Sequence, residues 1–368
     1  MGEALPNHNE PLVRALEARY YTQDELYQAA RERIFFHTWQ LAGHVSQLKK
    51  PGDYLCFSIC DQDLVLIRDR GGAGSPGALY CFYNVCQHRG HPLLEGRGNR
   101  RLITCPYHAW TYALDGRLRG APNSDQVRGF ENQNICLRAV RLEIFCGFVF
   151  INLDDEARPM EDCYPGVRAA MLAACPDIED REFAQEHHCQ EHCNWLLAVE
   201  NYNECYHCPV AHKAFSSGVI DPDSYDIQPF GAGKCLRHTA GAAPARGAWY
   251  EVSGSDYSAF YLWPAAAIQM YPGGLINSYH WRPQAVDDTR VYRGWYSHDG
   301  EVDAQLYKVM ELDRTTTFAE DLRLLDSVQR GLGSHGYRPG PLVLDPRGGI
   351  RSEHSIAALH GWLRAALD

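Results

Sequence analysis

Cys86-Gln87-His88-Arg89-Gly90-His91-Pro92 is followed, after sixteen intervening residues past His88, by Cys105-Pro106-Tyr107-His108. Each stretch offers one thiolate and one imidazole on a short loop. A [2Fe–2S] centre with two Cys on one iron and two His on the other needs that set, and its neutral imidazoles raise the reduction potential. Each loop has to reach both irons, which suits the C-x-H and C-x-x-H spacings. Gly90, Pro92 and Pro106 favour tight loops. A structural zinc ion bound by two Cys and two His is the alternative. Zinc motifs group like ligands together, whereas the types alternate here, so the spacing favours the cluster.

The texture around these loops is that of a small all-β domain. From residue 39 to about 153 short apolar runs such as Leu64-Val65-Leu66-Ile67 and Phe148-Val149-Phe150-Ile151 alternate with Gly and Pro. Gly71 to Gly77 reads as a glycine-rich hairpin loop. Ahead of the domain, Thr22-Gln23-Asp24-Glu25 fits a capping box, which predicts a helix over about 23–36. Behind it, helical patterns dominate residues 161–214 apart from a strand near 186–193. Aromatic strands follow over 249–296, with turns at Ser253-Gly254, Pro272-Gly273-Gly274 and Asp287-Asp288. One long helix is predicted over about 304–331. The layout is α+β: an N-terminal helical segment (1–38), an all-β cluster domain (39–155) and a second domain (156–368) that the first segment joins.

A second constellation lies in Glu200-Asn201-Tyr202-Asn203-Glu204-Cys205-Tyr206-His207-Cys208-Pro209-Val210-Ala211-His212. Fe(II) that activates O2 favours two His and one carboxylate on one face, with the other positions open. One straight helix would splay His207 and His212 by about 140°. Pro209 predicts a break near Cys208 that lets them converge. The carboxylate has to come from elsewhere. On the C-terminal helix Asp321 falls within the apolar stripe Phe318, Leu322, Leu325, Val328 and Leu332, and Glu320 on the far side. A lone buried carboxylate is costly unless paired or metal-bound, so Asp321 is the expected third ligand, with a buried salt bridge as the plainer alternative. Cys205, Cys208 and His187-His188-Cys189…His192-Cys193 could instead form a zinc knot, although those Cys sit on helix and strand rather than on knuckle turns. Glu204, one turn before His207, can orient that imidazole; otherwise it is a solvated surface Glu.

The whole composition is compatible with this. The chain has 368 residues, room for two cores. A net charge of −11 argues against nucleic acid or anionic membrane as a partner. There is no apolar run long enough for a membrane span and no N-terminal signal pattern, so the expected location is cytoplasmic. There the fourteen cysteines are expected to be ligands or small buried hydrophobes rather than disulfides.

With both sites in view, the chain closely resembles the α subunits of Rieske non-haem iron oxygenases over nearly its whole length. Besides the two loops and the two-His segment, the resemblance includes Trp39, Gly43, Asn194-Trp195, Glu200-Asn201-Tyr202, Trp263-Pro264, Tyr271-Pro272-Gly273, Glu320-Asp321 and Gln329-Arg330-Gly331. Glu-Asn-Tyr-x-Glu-Cys-Tyr-His-Cys is similar to the branch acting on carnitine, glycine betaine and proline betaine. The resemblance implies a Rieske domain, a helix-grip catalytic domain, a homotrimer and a separate flavin/iron–sulfur NAD(P)H reductase. It also implies a [2Fe–2S] cluster on Cys86, His88, Cys105 and His108, one Fe(II) on His207, His212 and Asp321, and O2 as co-substrate. Where family members usually have Lys and Asn, this chain has Leu196 and Ala265, both expected near the substrate pocket.

The expected activity is hydroxylation of a carbon next to a quaternary nitrogen, giving N-demethylation or C–N cleavage. Ring hydroxylation of an aromatic acid is the alternative, and a zinc-stabilised binding module the remote one. A trimethylammonium group has no hydrogen-bond donor and is best held by aromatic faces. Trp249, Tyr257, Tyr261, Trp263, Tyr279 and Trp281 are the candidates, with Tyr261/Trp263 and Tyr279/Trp281 each sharing a strand face. Plain core packing is the alternative for each.

Overall fold

The computed structural model describes residues 12–71, 77–243, 249 and 256–367. The Ser253-Gly254 turn and most of the Gly71–Gly77 loop lie outside them. The strands flanking that loop, Gln62–Arg68 and Leu79–Tyr83, do pair antiparallel.

Alternating apolar runs become a seven-stranded antiparallel sheet. Its order is Gln40–His44, Phe148–Asn152, Ala139–Phe145, Leu79–Tyr83, Gln62–Arg68, Asp53–Ile59, Arg97–Asn99. One face buries Leu64, Leu66, Val149 and Ile151, and the other Val65, Ile67 and Phe82. A three-stranded sheet, Ile103–Thr104, Thr111–Tyr112 and Leu118–Gly120, carries the second Cys-His loop.

The second domain is another seven-stranded antiparallel sheet, ordered Glu182–Glu191, Asp288–Ser297, Ile276–Ala285, Ala266–Met270, Tyr257–Leu262, Cys235–Ala240, Asp226–Pro229. Helices cover the face that carries Tyr257, Tyr261, Tyr279 and Trp281. Asn194 caps the helix Trp195–Tyr202 by accepting from the Leu196 N–H, and Asp303 caps Ala304–Thr315 by accepting from the Leu306 N–H. The N-terminal segment belongs to this core: Leu16, Tyr21, Tyr27 and Phe35 pack with Trp195, Val199 and Leu359. The β domain is thus an insertion into an α+β domain.

Several local expectations are corrected. Thr22 caps nothing: it ends a short helix, Arg19–Thr22, with its hydroxyl on the Ala18 carbonyl, and the next helix, Asp24–Arg33, starts after Gln23 without a side-chain cap. The long C-terminal helix is two, Ala304–Thr315 and Thr317–Leu332. The break falls in Thr315-Thr316-Thr317, where β-branching crowds the helix and the Thr316 hydroxyl bonds back to the Leu312 carbonyl. The strand expected near 186–193 runs Glu182–Glu191. A C-terminal helix, His354–Leu367, was not foreseen.

Candidate metal centres and substrate cavity

The two Cys-His loops are closed alike. The Cys86 N–H donates to the His91 carbonyl and the Gly90 N–H to Cys86; the Cys105 N–H donates to Trp110 and the Ala109 N–H to Cys105. In both, the fourth residue after the Cys has positive φ, +72° at Gly90 and +57° at Ala109. Such a left-handed residue turns the chain back so that one Cys and one His face the same way. Both thiols are buried, Cys86 Sγ lies 3.3 Å from the Tyr112 hydroxyl, and the rings of His88 and His108 stand 4.7 Å apart towards solvent. Trp110 stacks on His88 and Tyr107 on His108. Thiols inside and imidazoles outside, on two matching loops, is the donor set of a Rieske-type cluster.

The second centre forms where three chain segments meet. The helix Trp195–Tyr202 stops at Tyr202, earlier than the expected break at Cys208, and Pro209 sits in the first turn of the next short helix, Cys208–Ala211. His207 and His212 flank that single turn, which is why residues five apart converge. Their Nε2 atoms are 2.9 Å apart. Asp321 Oδ1 lies 2.9 Å from His212 Nε2 and 3.6 Å from His207 Nε2. Two neighbouring ligands at the ~2.1 Å bond length of a divalent metal lie ~3 Å apart, so the three atoms fit one ion. Among the described residues they are the one group of three or more such donors gathered within 4.8 Å. The zinc-knot alternative is not assembled: Cys205 and Cys208 pair with each other as a disulfide, Cα–Cα 4.8 Å, across the turn that carries His207. That also corrects the expectation of no disulfide. The other twelve cysteines are free.

Both imidazoles are held from behind by carboxylates. Glu204 Oε1 accepts from His207 Nδ1 at 2.5 Å, although Glu204 lies in the turn and not on a shared helix. Glu320 Oε2 accepts from His212 Nδ1 at 2.8 Å, so Glu320 is not on the far side as expected. Carboxylates behind ligand imidazoles fix the tautomer and ring orientation for a metal at Nε2. Burial opposes charge on His207, but Asp321 and Glu204 outweigh it and hold its pKa up at about 10. So anionic a surrounding suits a cation at the centre. Of the expected stripe on Thr317–Leu332, Phe318, Leu325 and Leu332 are buried, while Val328 is 47% exposed.

A cavity opens on the triad. Tyr257, Tyr279 and Trp281 line it as expected, and so do Tyr202, Phe215, Tyr225 and Glu191, which the sequence does not mark as lining. Trp249, Tyr261 and Trp263 do not. Tyr261 donates to the Pro264 carbonyl, Trp263 packs edge-on against Trp195 and Trp362, and Trp249 lies on Gly218. Tyr261 and Trp263 share one core with Trp195 and Trp281, but neither lines the cavity. Leu196 and Ala265 are buried away from the cavity too.

Fold and sites together define an oxygenase with a Rieske cluster and a mononuclear non-haem iron. Residues 38–131 match the Rieske [2Fe-2S] domain and residues 178–368 the ring hydroxylating alpha subunit (catalytic domain). The chain therefore belongs to the Rieske non-haem iron oxygenase α subunits, enzymes that use both iron centres and O2. It is 36% identical over 354 residues to the carnitine monooxygenase oxygenase subunit of Escherichia coli K12, covering 95% of this chain and 92% of that one. It is 27% identical over 354 residues to chloroplastic choline monooxygenase of Spinacia oleracea, covering 95% and 77%. The crystal structure of the quaternary ammonium Rieske monooxygenase CntA with L-carnitine is similar at TM-score 0.87 and 32% identity, covering 97% and 96%. Naphthalene 1,2-dioxygenase from Rhodococcus sp. shares the fold at TM-score 0.80 and 20% identity.

Proposed function

We propose that this chain hydroxylates a carbon bonded to the nitrogen of a quaternary amine. The observation that carries it is the cavity: the rings of Tyr202, Tyr279 and Trp281, 5.0–5.3 Å apart between centroids, form an aromatic wall in the cavity that His207, His212 and Asp321 also line. Each such face is worth roughly 0.5–2 kcal/mol to a cation. The relatives named for carnitine and choline support the same class.

In this reading Cys86, His88, Cys105 and His108 hold the cluster, and His207, His212 and Asp321 hold the iron. When bound, the iron activates O2 with electrons relayed by the cluster. Glu204 and Glu320 keep the two imidazoles aimed, and the aromatic wall sets the cation's carbon at the open side of the triad. The hydroxylated carbon is a carbinolamine, which releases a tertiary amine and leaves an aldehyde.

The division into residues 1–38, 39–155 and 156–368, a cytoplasmic location, a homotrimer and a separate NAD(P)H reductase complete the proposal. His88 and His108 border an open hollow with Val127 and Phe130, and Tyr107 beside them is 53% exposed. An electron-accepting site on a neighbouring subunit would dock there, with Glu204 bridging to His207. No helix of the described residues is long and apolar enough to cross a membrane. The test is a substrate panel with a Rieske-oxygenase reductase: carnitine, γ-butyrobetaine, glycine betaine, proline betaine and choline beside benzoate and phthalate. Amine release coupled to NADH use with one of the first five is expected. Coupling to an aromatic acid alone would overturn the substrate class.

A further inference from the structure

Four acids line the cavity among the described residues: Glu191, Glu204, Asp313 and Asp321. Three are engaged. Asp321 faces both imidazoles, Glu204 holds His207, and Asp313 pairs with the buried Arg293. Glu191 makes no such ion pair, is 2% exposed, and its Oε2 has no hydrogen-bond partner.

Strand register places it. Trp281 pairs with Val291, which pairs with Cys189; one row on, Pro283 pairs with Thr289, which pairs with Glu191. Paired residues on antiparallel strands share a face, and rows two residues apart repeat it. Glu191 therefore stands on the face that carries Tyr279 and Trp281, one row beyond Trp281. Burial pushes its carboxyl up, and Arg293 offsets only part of this. A buried carboxyl is stable as an ion only beside a cation. With Arg293 committed to Asp313, a cationic group entering the cavity is the partner this carboxyl lacks.

We propose that Glu191 is a specificity-determining residue: the counter-charge to the substrate's quaternary ammonium group, whose methyl groups lie on Tyr202, Tyr279 and Trp281. This rests on the quaternary-amine reading above. An ammonium without N–H bonds attracts a carboxylate through charge alone, which is consistent with an Oε2 that has no directed donor. The aromatic wall selects for shape and polarisability, and Glu191 selects for the charge itself.

The experiment compares cations with their carbon isosteres on the iron-loaded holoenzyme: choline against 3,3-dimethylbutan-1-ol, and γ-butyrobetaine against 5,5-dimethylhexanoate. In the wild type the cation should bind about tenfold or more tighter than its isostere. Glu191→Gln should erase that preference and raise KM for the amine more than it lowers kcat, with iron content and the cluster EPR signal retained. A variant that keeps the preference overturns the assignment. So does a wild type that binds isostere and cation alike, a result that does not depend on how the variant folds. If the wild type turns over no quaternary amine, the functional reading falls and takes this one with it. If it does and Glu191→Gln behaves identically, only the role of Glu191 falls.

Discussion

Each imidazole of the triad has a carboxylate at its back, Glu204 for His207 and Glu320 for His212. The two should not respond alike. Glu320→Ala leaves His212 free to rotate, and loss of such a partner costs roughly 10–100-fold in metal affinity or activity; iron per chain after dialysis against a chelator measures it, and a variant retaining iron like the wild type would refute it. Glu204→Gln should keep both metals, seen by iron content and EPR, yet stop turnover, because Glu204 is also the proposed bridge for electrons; native-rate turnover would remove that role. That Asp321 meets His207 and His212 was legible from helical angle alone. Glu320 was not, since helical angle says nothing of the segment that packs alongside, and here the turn that carries His212 comes to meet it. Glu191 was invisible for another reason: its position follows from which strand pairs with which, and sequence carries no register between strands so far apart.

The element that delivers Asp321 rests on fewer apolar contacts than its sequence suggests. Phe318, Leu325 and Leu332, seven residues apart, are buried; Val328 is not. Leu325→Ala should therefore cost about 2–5 kcal/mol in urea unfolding, and Val328→Ala within about 0.5 kcal/mol. Equal costs would mean that the helix buries another face. The β strands were the most legible elements, because alternation in residues 39–153 survives any tertiary context. The long helix was misread because three threonines in a row look only mildly unfavourable one at a time. The helix His354–Leu367 escaped notice, though it is tied to the site: His360 and Tyr21 both bond Glu200, on the helix that leads into the turn carrying His207 and His212.

Across the whole molecule, two seven-stranded sheets enclose polar groups that fold only in one charge state. Burial lowers the pKa of His44 to about 4 and of His238 to about 3, and that of His280 well below its usual value. His238 sits between the Tyr225 hydroxyl and Asn203 Oδ1, partners that one neutral imidazole satisfies. The unfolded chain, titrating near pH 6.5, takes up these protons first. Their stabilisation is thus complete above pH 6.5 and lost as pH falls towards 4, by up to about 1.4 kcal/mol per histidine per pH unit. The melting temperature should drop between pH 7 and pH 5.5; a flat profile would contradict neutral burial. The two family domains were readable because their cysteine and histidine loops are local patterns. The cavity's walls were readable only in part: Tyr257, Tyr279 and Trp281 were expected, whereas Tyr202, Phe215, Tyr225 and Glu191 come from other segments of the second domain. The most direct test of the account is stoichiometry in the coupled reaction with carnitine, γ-butyrobetaine or choline as substrate. A monooxygenase cleaving the C–N bond should consume one O2 and one NADH per amine released. NADH oxidation without amine release for every quaternary amine offered, or a dihydroxylated aromatic acid as the coupled product, would contradict it.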